Sequence, residues 1–148
     1  MADEESKLFT LREAERLRAQ LEPVLIEALD WRRKLGEVDE KLGELAERIQ
    51  RSGGLLVSYE KAARVRLERN RLEESIQEAL EKIQSTGCVV KDLDVGLLDF
   101  PARINGEDVY LCWRLGEDRI RYYHGVNEGF QARRPLDPLD TGGSPPIQ

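Results

Sequence analysis

Two regularly spaced series of apolar residues limit most strongly which folds this chain can adopt. Across residues 21–49, apolar side chains recur at alternating intervals of three and four, and a similar series covers residues 62–83. This spacing gives the 3.5-residue period of helices that pack along one seam. The pair Gly53-Gly54 interrupts the pattern between the two series. Because a short connection between amphipathic helices favours antiparallel packing, the sequence predicts a long antiparallel helical hairpin, or coiled-coil arm.

A capping box predicts where the first helix begins. Thr10 precedes the helical pattern and Glu13 follows three residues later, so each side chain can accept a hydrogen bond from an unpaired backbone amide. The first helical region is predicted over residues 10–52 and the second helix over residues 55–86. Pro23 either kinks a continuous first helix or begins a new one, and the sequence leaves both open.

The second half of the chain carries a β-hairpin signal. Asn105-Gly106 lies between two alternating runs, and both residue types tolerate the positive φ of a tight turn. A two-residue turn fixes the register and predicts one apolar face, made of Leu98, Phe100, Ala102, Val109, Leu111 and Trp113. We therefore predict an antiparallel β-meander over residues 88–124, packed on the base of the hairpin in an α+β fold.

A third strand is expected after a turn near Gly116-Glu117. Continued alternation would add Ile120 and Tyr122 to the apolar face, and His124 would end that same face. Residues 125–148 contain four of the six prolines and are predicted to form an irregular, disordered C-terminal tail. Residues 1–148 are taken as a single domain.

Composition excludes several classes of function. The net charge is −6, with 23 Lys and Arg against 29 Asp and Glu, so the basic footprint that nucleic acid or an anionic membrane requires is missing. The acidic N-terminus differs from a secretory signal, and no apolar run is long enough to span a bilayer. Cys88 and Cys112 are too few for a disulfide scaffold or a structural zinc site. We therefore expect a cytoplasmic protein without a cofactor.

The opposite face of the predicted sheet is polar and rich in arginine. The register and the expected third strand place Asp99, Cys112 and Arg121 in one row. Guanidinium groups match carboxylate and phosphate, so this face is a candidate site for a small anion. The candidate ligand-binding residues are Asp99, Arg114, Glu117, Arg121, His124 and Arg133.

Other chemistry finds less support. His124 and Glu117 are the candidates for catalysis, but no Ser or Cys stands at a recognisable spacing from the histidine, so no catalytic residue is assigned. Asp92 and Asp94 resemble the start of a calcium loop, but the closing Glu is missing and both residues suit a turn. No metal site is therefore predicted, and the two cysteines are interpreted as buried thiols.

Residues 61–71 carry five basic residues and one acidic residue. A basic helix of this kind can contact RNA, but across the hairpin it faces acidic residues of the first helix. Ion pairs between the helices explain the charge more economically.

Three motifs carry a resemblance to a known family. They are the segment from Val90 to Pro101, the segment from Val109 to Glu117, and the segment from Ile120 to His124. With the opening Lys7–Ala14 and the later Gly129-Phe130, the chain resembles domain-of-unknown-function family 2203, a bacterial family, over about residues 7–136. The resemblance implies a cytoplasmic bacterial protein and assigns no activity. It emphasises Asp92, Asp99, Trp113, Arg114, Glu117, His124 and Arg133.

Three hypotheses about function follow. The leading one is a non-enzymatic protein-interaction or scaffold module, because a two-helix arm leaves apolar surface that a second copy could cover in a homodimer. Another protein is the alternative partner. The second hypothesis is a small-anion binding or catalytic domain on the arginine-rich face. The third is an RNA-contacting helical arm.

Overall fold

The computed structural model describes residues 7–53 and 56–136, with only the backbone at residues 56–58. Within these ranges the chain forms two helices and a five-stranded antiparallel sheet, which confirms the predicted α+β fold. Gly54 of the predicted break, and residues 137–148 of the predicted tail, lie outside the described residues. No helix in the described part of the chain has the length and apolar character needed to cross a membrane.

The strands follow one another in the sheet in the same order as in the chain. The elements are α1 (Leu11–Ser52), α2 (Leu56–Gln84), β1 (Val89–Asp92), β2 (Leu97–Ile104), β3 (Glu107–Arg114), β4 (Tyr122–Gly125) and β5 (Arg134–Pro135), with a short 3-10 helix at Phe130–Ala132 before β5. The 3-10 helix and β5 fall where the sequence predicts an irregular tail. Three-residue and two-residue elements are too short to produce a periodic signal.

Helix α1 is continuous through Pro23. Thr10 and Glu13 form the predicted capping box, in which each side chain accepts a backbone N–H bond of 3.0 Å from the other residue. Proline removes one helical N–H donor. The carbonyl group that loses this donor belongs to Ala19, and because Ala19 and Pro23 are both exposed, water can replace the lost bond.

Contacts divide the chain, which the sequence suggests is one domain, into two compact units. One unit comprises residues 27–80, where α1 and α2 pack through the predicted apolar series. Its buried cluster consists of Val38, Leu45, Ala62 and Val65, with Leu42, Ile49 and Leu72 at its margin. Arg69 of α2 bonds the Asp39 carboxylate of α1 at 2.6 Å, which is an ion pair of the predicted kind. We refer to residues 27–80 as the helical unit.

The other unit comprises residues 1–26 and 81–148 and is called the sheet unit. The β2–β3 register is the predicted one, with Leu98 opposite Trp113 and Phe100 opposite Leu111. These side chains are buried, and the N-terminal part of α1 and the residues before it pack against them. The Phe9 ring meets Phe100 edge to face at 5.6 Å, and the Arg18 guanidinium lies 5.5 Å from the Trp113 ring centre.

The predicted alternation of the third strand is wrong. β4 begins at Tyr122, which pairs with Cys112, and His124 pairs with Tyr110. Tyr122 and His124 therefore lie on the polar face, while Tyr123, opposite Leu111, lies on the other face. The residues between Arg114 and Tyr122 form a turn and an irregular segment, so alternation cannot be continued through them.

Candidate functional site

Three polar side chains from three neighbouring strands meet on one face of the sheet. Asp99 lies in β2, opposite Cys112 of β3, and His124 of β4 pairs with Tyr110, two residues before Cys112 on the same face. Their exposed fractions are 1%, 0% and 1%. Each side chain has one potential metal-ligand atom that lies within 4.8 Å of the corresponding atoms of the other two side chains. Within residues 7–53 and 56–136, these three side chains form a group of potential metal ligands that is compact enough to hold one metal ion. We call it the Asp–Cys–His cluster.

Hydrogen bonds fix the orientation of the histidine ring. His124 Nδ1 lies 2.8 Å from the Gly125 carbonyl oxygen, and His124 Nε2 lies 3.1 Å from Asp99 Oδ2. A carbonyl oxygen only accepts, so Nδ1 carries a hydrogen and donates it. The bond between Nε2 and the carboxyl group then requires one further proton, on either partner. The buried pair thus shares one proton and is neutral overall.

The second carboxyl oxygen of Asp99 has no such partner. Oδ1 is buried and accepts no hydrogen bond within the described part of the chain. An unsatisfied buried acceptor costs about 1–3 kcal/mol, so its presence in a folded protein requires an explanation.

Burial also controls the charge of this cluster. It raises the pKa of the Asp99 carboxyl group, and this effect exceeds the opposing influence of His124. Burial and, to a smaller extent, the nearby Asp99 raise the pKa of the Cys112 thiol to about 12, against the opposing influence of Arg133. The thiol is therefore protonated at neutral pH, and its nucleophilicity is low.

An ion pair lies beside the cluster. The Arg133 guanidinium bonds the Glu117 carboxylate at 2.9 Å, and both side chains are largely buried. Arg133 also stacks on Tyr122 and Phe130, with its guanidinium 4.1 and 4.0 Å from the two ring centres. Glu117 accepts a further bond from the Arg114 backbone N–H. These contacts hold the segment before β5 against the polar face.

The predicted site residues separate into four groups. Asp99 and His124 form the buried pair, Glu117 and Arg133 form the ion pair, and Arg114 contributes its backbone to the latter. Arg121 does not share a row with Asp99, because Tyr122 occupies that position, and it pairs with Asp118 at 3.0 Å. Asp92 accepts a bond from the Asp94 amide in a turn.

Four arginines in the C-terminal part of the sheet unit have an acidic partner. Arg103 pairs with Asp108, Arg121 with Asp118, Arg133 with Glu117 and Arg134 with Glu128. These pairs neutralise the positive charge that a site for a small anion would use.

Cys112 is the functional candidate that sequence reasoning missed. The register predicted from Asn105-Gly106 sets it opposite Asp99, but a single thiol in a strand is typical of packing. The useful signal is the presence of a thiol and a carboxylate side by side on the same face. Their common burial is not visible in the sequence.

The helical unit presents a different candidate surface. Tyr59 and Leu67 of α2 are 53% and 52% exposed, although both are large and apolar. Ala63 is also exposed and lies between them. Residues at intervals of four share one side of a helix, so these three form an apolar stripe. The name α2 stripe refers to Tyr59, Ala63 and Leu67.

Comparisons with known proteins identify the family to which this chain belongs. The chain is 30% identical over 94 residues to E3 ubiquitin-protein ligase TRIP12 of Danio rerio, a match that spans 51% of the chain but only 5% of that protein. No solved structure matches the chain. The family described as "Uncharacterized conserved protein (DUF2203)" matches residues 7–136. Because this match covers most of the sequence, the protein belongs to the DUF2203 family.

Proposed function

We propose that this protein is a non-enzymatic interaction module, and that its α2 stripe binds a second copy of the chain. The observation that carries the proposal is the exposure of Tyr59 and Leu67, each more than half accessible on the same side of one helix. Scattered exposed apolar residues are common on protein surfaces. A stripe at regular helical spacing is instead typical of a helix that packs on another helix.

The stripe faces away from the packing between α1 and α2. Ala62 and Val65 are buried in the cluster between the helices. Leu67 follows Val65 by two residues, which is about 200° around a helix. The stripe is thus left over after α1 and α2 have packed, and a further helix is needed to cover it.

The sequence of α2 fits a copy of itself. If two α2 helices pack antiparallel around a two-fold axis level with residue 65, Leu67 meets the partner subunit's Ala63. The same arrangement sets Tyr59 against the partner subunit's Arg71. A large side chain opposite a small one allows close packing, and an arginine on a tyrosine ring adds a cation–π contact. Two such hairpins would form a four-helix bundle.

The mass of the protein in solution tests this proposal. Sedimentation equilibrium of the wild type is expected to show a dimer. Leu67→Glu should produce a monomer, because a carboxylate would be buried at the centre of the interface. Gln50→Glu adds the same charge to an exposed position of α1 and should remain dimeric. Circular dichroism of both variants should match the wild type.

A wild type that remains monomeric at its highest soluble concentration contradicts the proposal. So does a Leu67→Glu variant that is folded and still dimeric. If the wild type is instead monomeric and binds RNA in a manner that depends on salt and on Arg64 and Arg66, the third hypothesis replaces this one.

A further inference from the structure

We propose that Asp99, Cys112 and His124 form a binding site for one divalent transition-metal ion, with Zn²⁺ as the best chemical match. The proposal is independent of the α2 stripe, since it uses only residues of the sheet unit. It rests on the donor set, its compactness, the orientation of the imidazole and the unpartnered carboxyl oxygen.

The donor atoms are those that zinc prefers. Thiolate sulfur, imidazole nitrogen and carboxylate oxygen are its usual protein ligands. A zinc site can consist of three protein ligands and a fourth coordination position that is taken by water or another molecule. Around a tetrahedral zinc ion, such atoms lie roughly 3.3–3.7 Å apart. The cluster already places His124 Nε2 3.1 Å from Asp99 Oδ2, and the sulfur lies within 4.8 Å of both side chains. A shift of about 1 Å brings the sulfur into range.

The histidine is oriented as a metal ligand would be. Its Nδ1–H donates to the Gly125 carbonyl oxygen at 2.8 Å, so Nε2 is the nitrogen directed at the cluster. Metal-binding histidines commonly donate their other ring N–H to a backbone carbonyl or carboxylate, which fixes the tautomer and the ring plane. This outer hydrogen bond is already present.

Metal binding also explains the unpartnered oxygen of Asp99. Oδ1 is buried without a hydrogen bond in the described residues, while Oδ2 bonds His124 and the carboxyl group also interacts with the Cys112 thiol. A cation between the three side chains would be a partner for the carboxylate. A purely structural Asp–His pair leaves the second oxygen unsatisfied.

The charge of the ligand set favours a divalent ion. A carboxylate and a thiolate together carry two negative charges, so one divalent ion bound to them and to a neutral imidazole leaves no net charge. A monovalent or trivalent ion would leave a net charge in a site where the three side chains are almost inaccessible to water.

Cobalt absorption provides a direct test of sulfur ligation. The full-length protein is unfolded in denaturant and refolded with one equivalent of Co²⁺ and a phosphine reductant, so that burial does not prevent entry of the metal. The wild type should bind one Co²⁺ per chain, measured by elemental analysis after desalting. It should also show near-ultraviolet thiolate-to-cobalt charge transfer, which a carboxylate–imidazole site does not produce.

Two matched variants locate the sulfur. Cys112→Ser should lose the charge-transfer absorption, while Cys88→Ser, the same exchange at an equally buried position, should keep it. Asp99→Asn should weaken Zn²⁺ binding at least as much as the ~10–100-fold that is lost with an outer hydrogen-bond partner. Competition with a chromophoric chelator measures this change. Circular dichroism establishes that each variant is folded.

The proposal is overturned if the refolded wild type has native circular dichroism and no charge-transfer absorption. It is also overturned if a folded Cys112→Ser variant keeps that absorption. Should Cys112→Ser fail to fold, protection of the wild-type thiol decides the question. Stoichiometric Zn²⁺ should block alkylation of Cys112 in partly denatured protein, and equal labelling with and without Zn²⁺ contradicts the site.

Discussion

The helical unit and the sheet unit differ in the kinds of side chain that they bury. The cluster between α1 and α2 is apolar, and its principal cross-helix polar contact, Arg69 with Asp39, lies at the surface. The sheet unit buries an aspartate, a cysteine and a histidine, and it leaves one carboxyl oxygen without a hydrogen bond. Buried ionisable groups reduce stability unless they are fully paired. Apolar packing accounts for the buried cluster of the helical unit, whereas it does not account for the buried polar side chains of the sheet unit.

The largest difference between the units should come from the removal of core side chains. Trp113→Ala removes a fully buried indole and should lower the free energy of unfolding by about 3–5 kcal/mol. Val65→Ala in the helical unit removes two methyl groups and should cost about 1.5–2 kcal/mol. Urea denaturation of both variants measures the two losses. Equal losses would mean that the sheet core is packed no more tightly than the helical seam.

Substitutions of Asp99 should separate hydrogen bonding from charge. In metal-free protein, Asp99→Ala leaves His124 Nε2 buried without a partner and should cost about 2–3 kcal/mol. Asp99→Asn offers an amide donor in place of a protonated carboxyl group and should cost less than about 1 kcal/mol at pH 7. Thermal and urea unfolding compare the two variants. An Asn variant as unstable as the Ala variant would contradict a protonated cluster.

The same carboxyl group predicts a dependence on pH. Burial raises the pKa of Asp99 in the folded protein, so the folded state keeps a proton that the unfolded chain releases near pH 4. This contribution to stability is complete below that pH and is lost as the pH rises through the folded-state value. The stability of the wild type relative to Asp99→Asn should therefore fall between pH 4 and pH 7. A constant difference across this range would show that the carboxyl group is ionised in both states.

Two glycines should respond to alanine with opposite signs. Gly96 has φ +70°, and an added Cβ would lie 2.7 Å from the Leu115 Cβ, so Gly96→Ala should destabilise the protein by about 2 kcal/mol. Gly43 lies within α1 with no atom within 4 Å of an added Cβ. Gly43→Ala should stabilise it by about 0.5–1 kcal/mol, because alanine loses less entropy in a helix. Melting temperatures of the two variants provide the measurement, and shifts in the same direction would refute the steric argument.

The smallest effect should come from the ion pair between the helices. Arg69 and Asp39 are partly exposed, so Arg69→Ala should lower the free energy of unfolding by less than about 1 kcal/mol. Raising the salt concentration should reduce the difference further. Urea denaturation at two ionic strengths tests both expectations. A loss above 2 kcal/mol would place this pair among the main determinants of the helical packing.

The sequence predicted those features that depend on local chemistry or on a strict period. The Asn105-Gly106 turn, with φ of 54° and 84°, fixes the β2–β3 register that alternation indicated. The apolar series identified the buried side of both helices, since every apolar member of the two series is buried or partly buried.

The remaining features depend on contacts that are distant along the chain. Ile120 is buried before β4 begins, and its N–H bonds the Glu15 carboxylate. The apolar character of Ile120 therefore indicates that this residue is buried, but it does not indicate which residues of the following strand face the same way. For this reason the predicted position of His124 on the apolar face is wrong. The Asp–Cys–His cluster required the correct phase of β4. Arg133, which acts on the Cys112 thiol, comes from a segment beyond the strand pattern.

The two outer strands limit how this sheet can grow. β5 contains two residues, and one of them is Pro135, which has no N–H to offer a neighbouring strand. β1 has four residues, carries Lys91 and Asp92, and changes register at a bulge between Val90 and Asp92. Short, charged and irregular margins oppose the addition of a foreign strand and therefore protect against aggregation. Addition of a foreign strand at either margin of the described sheet should therefore be weak.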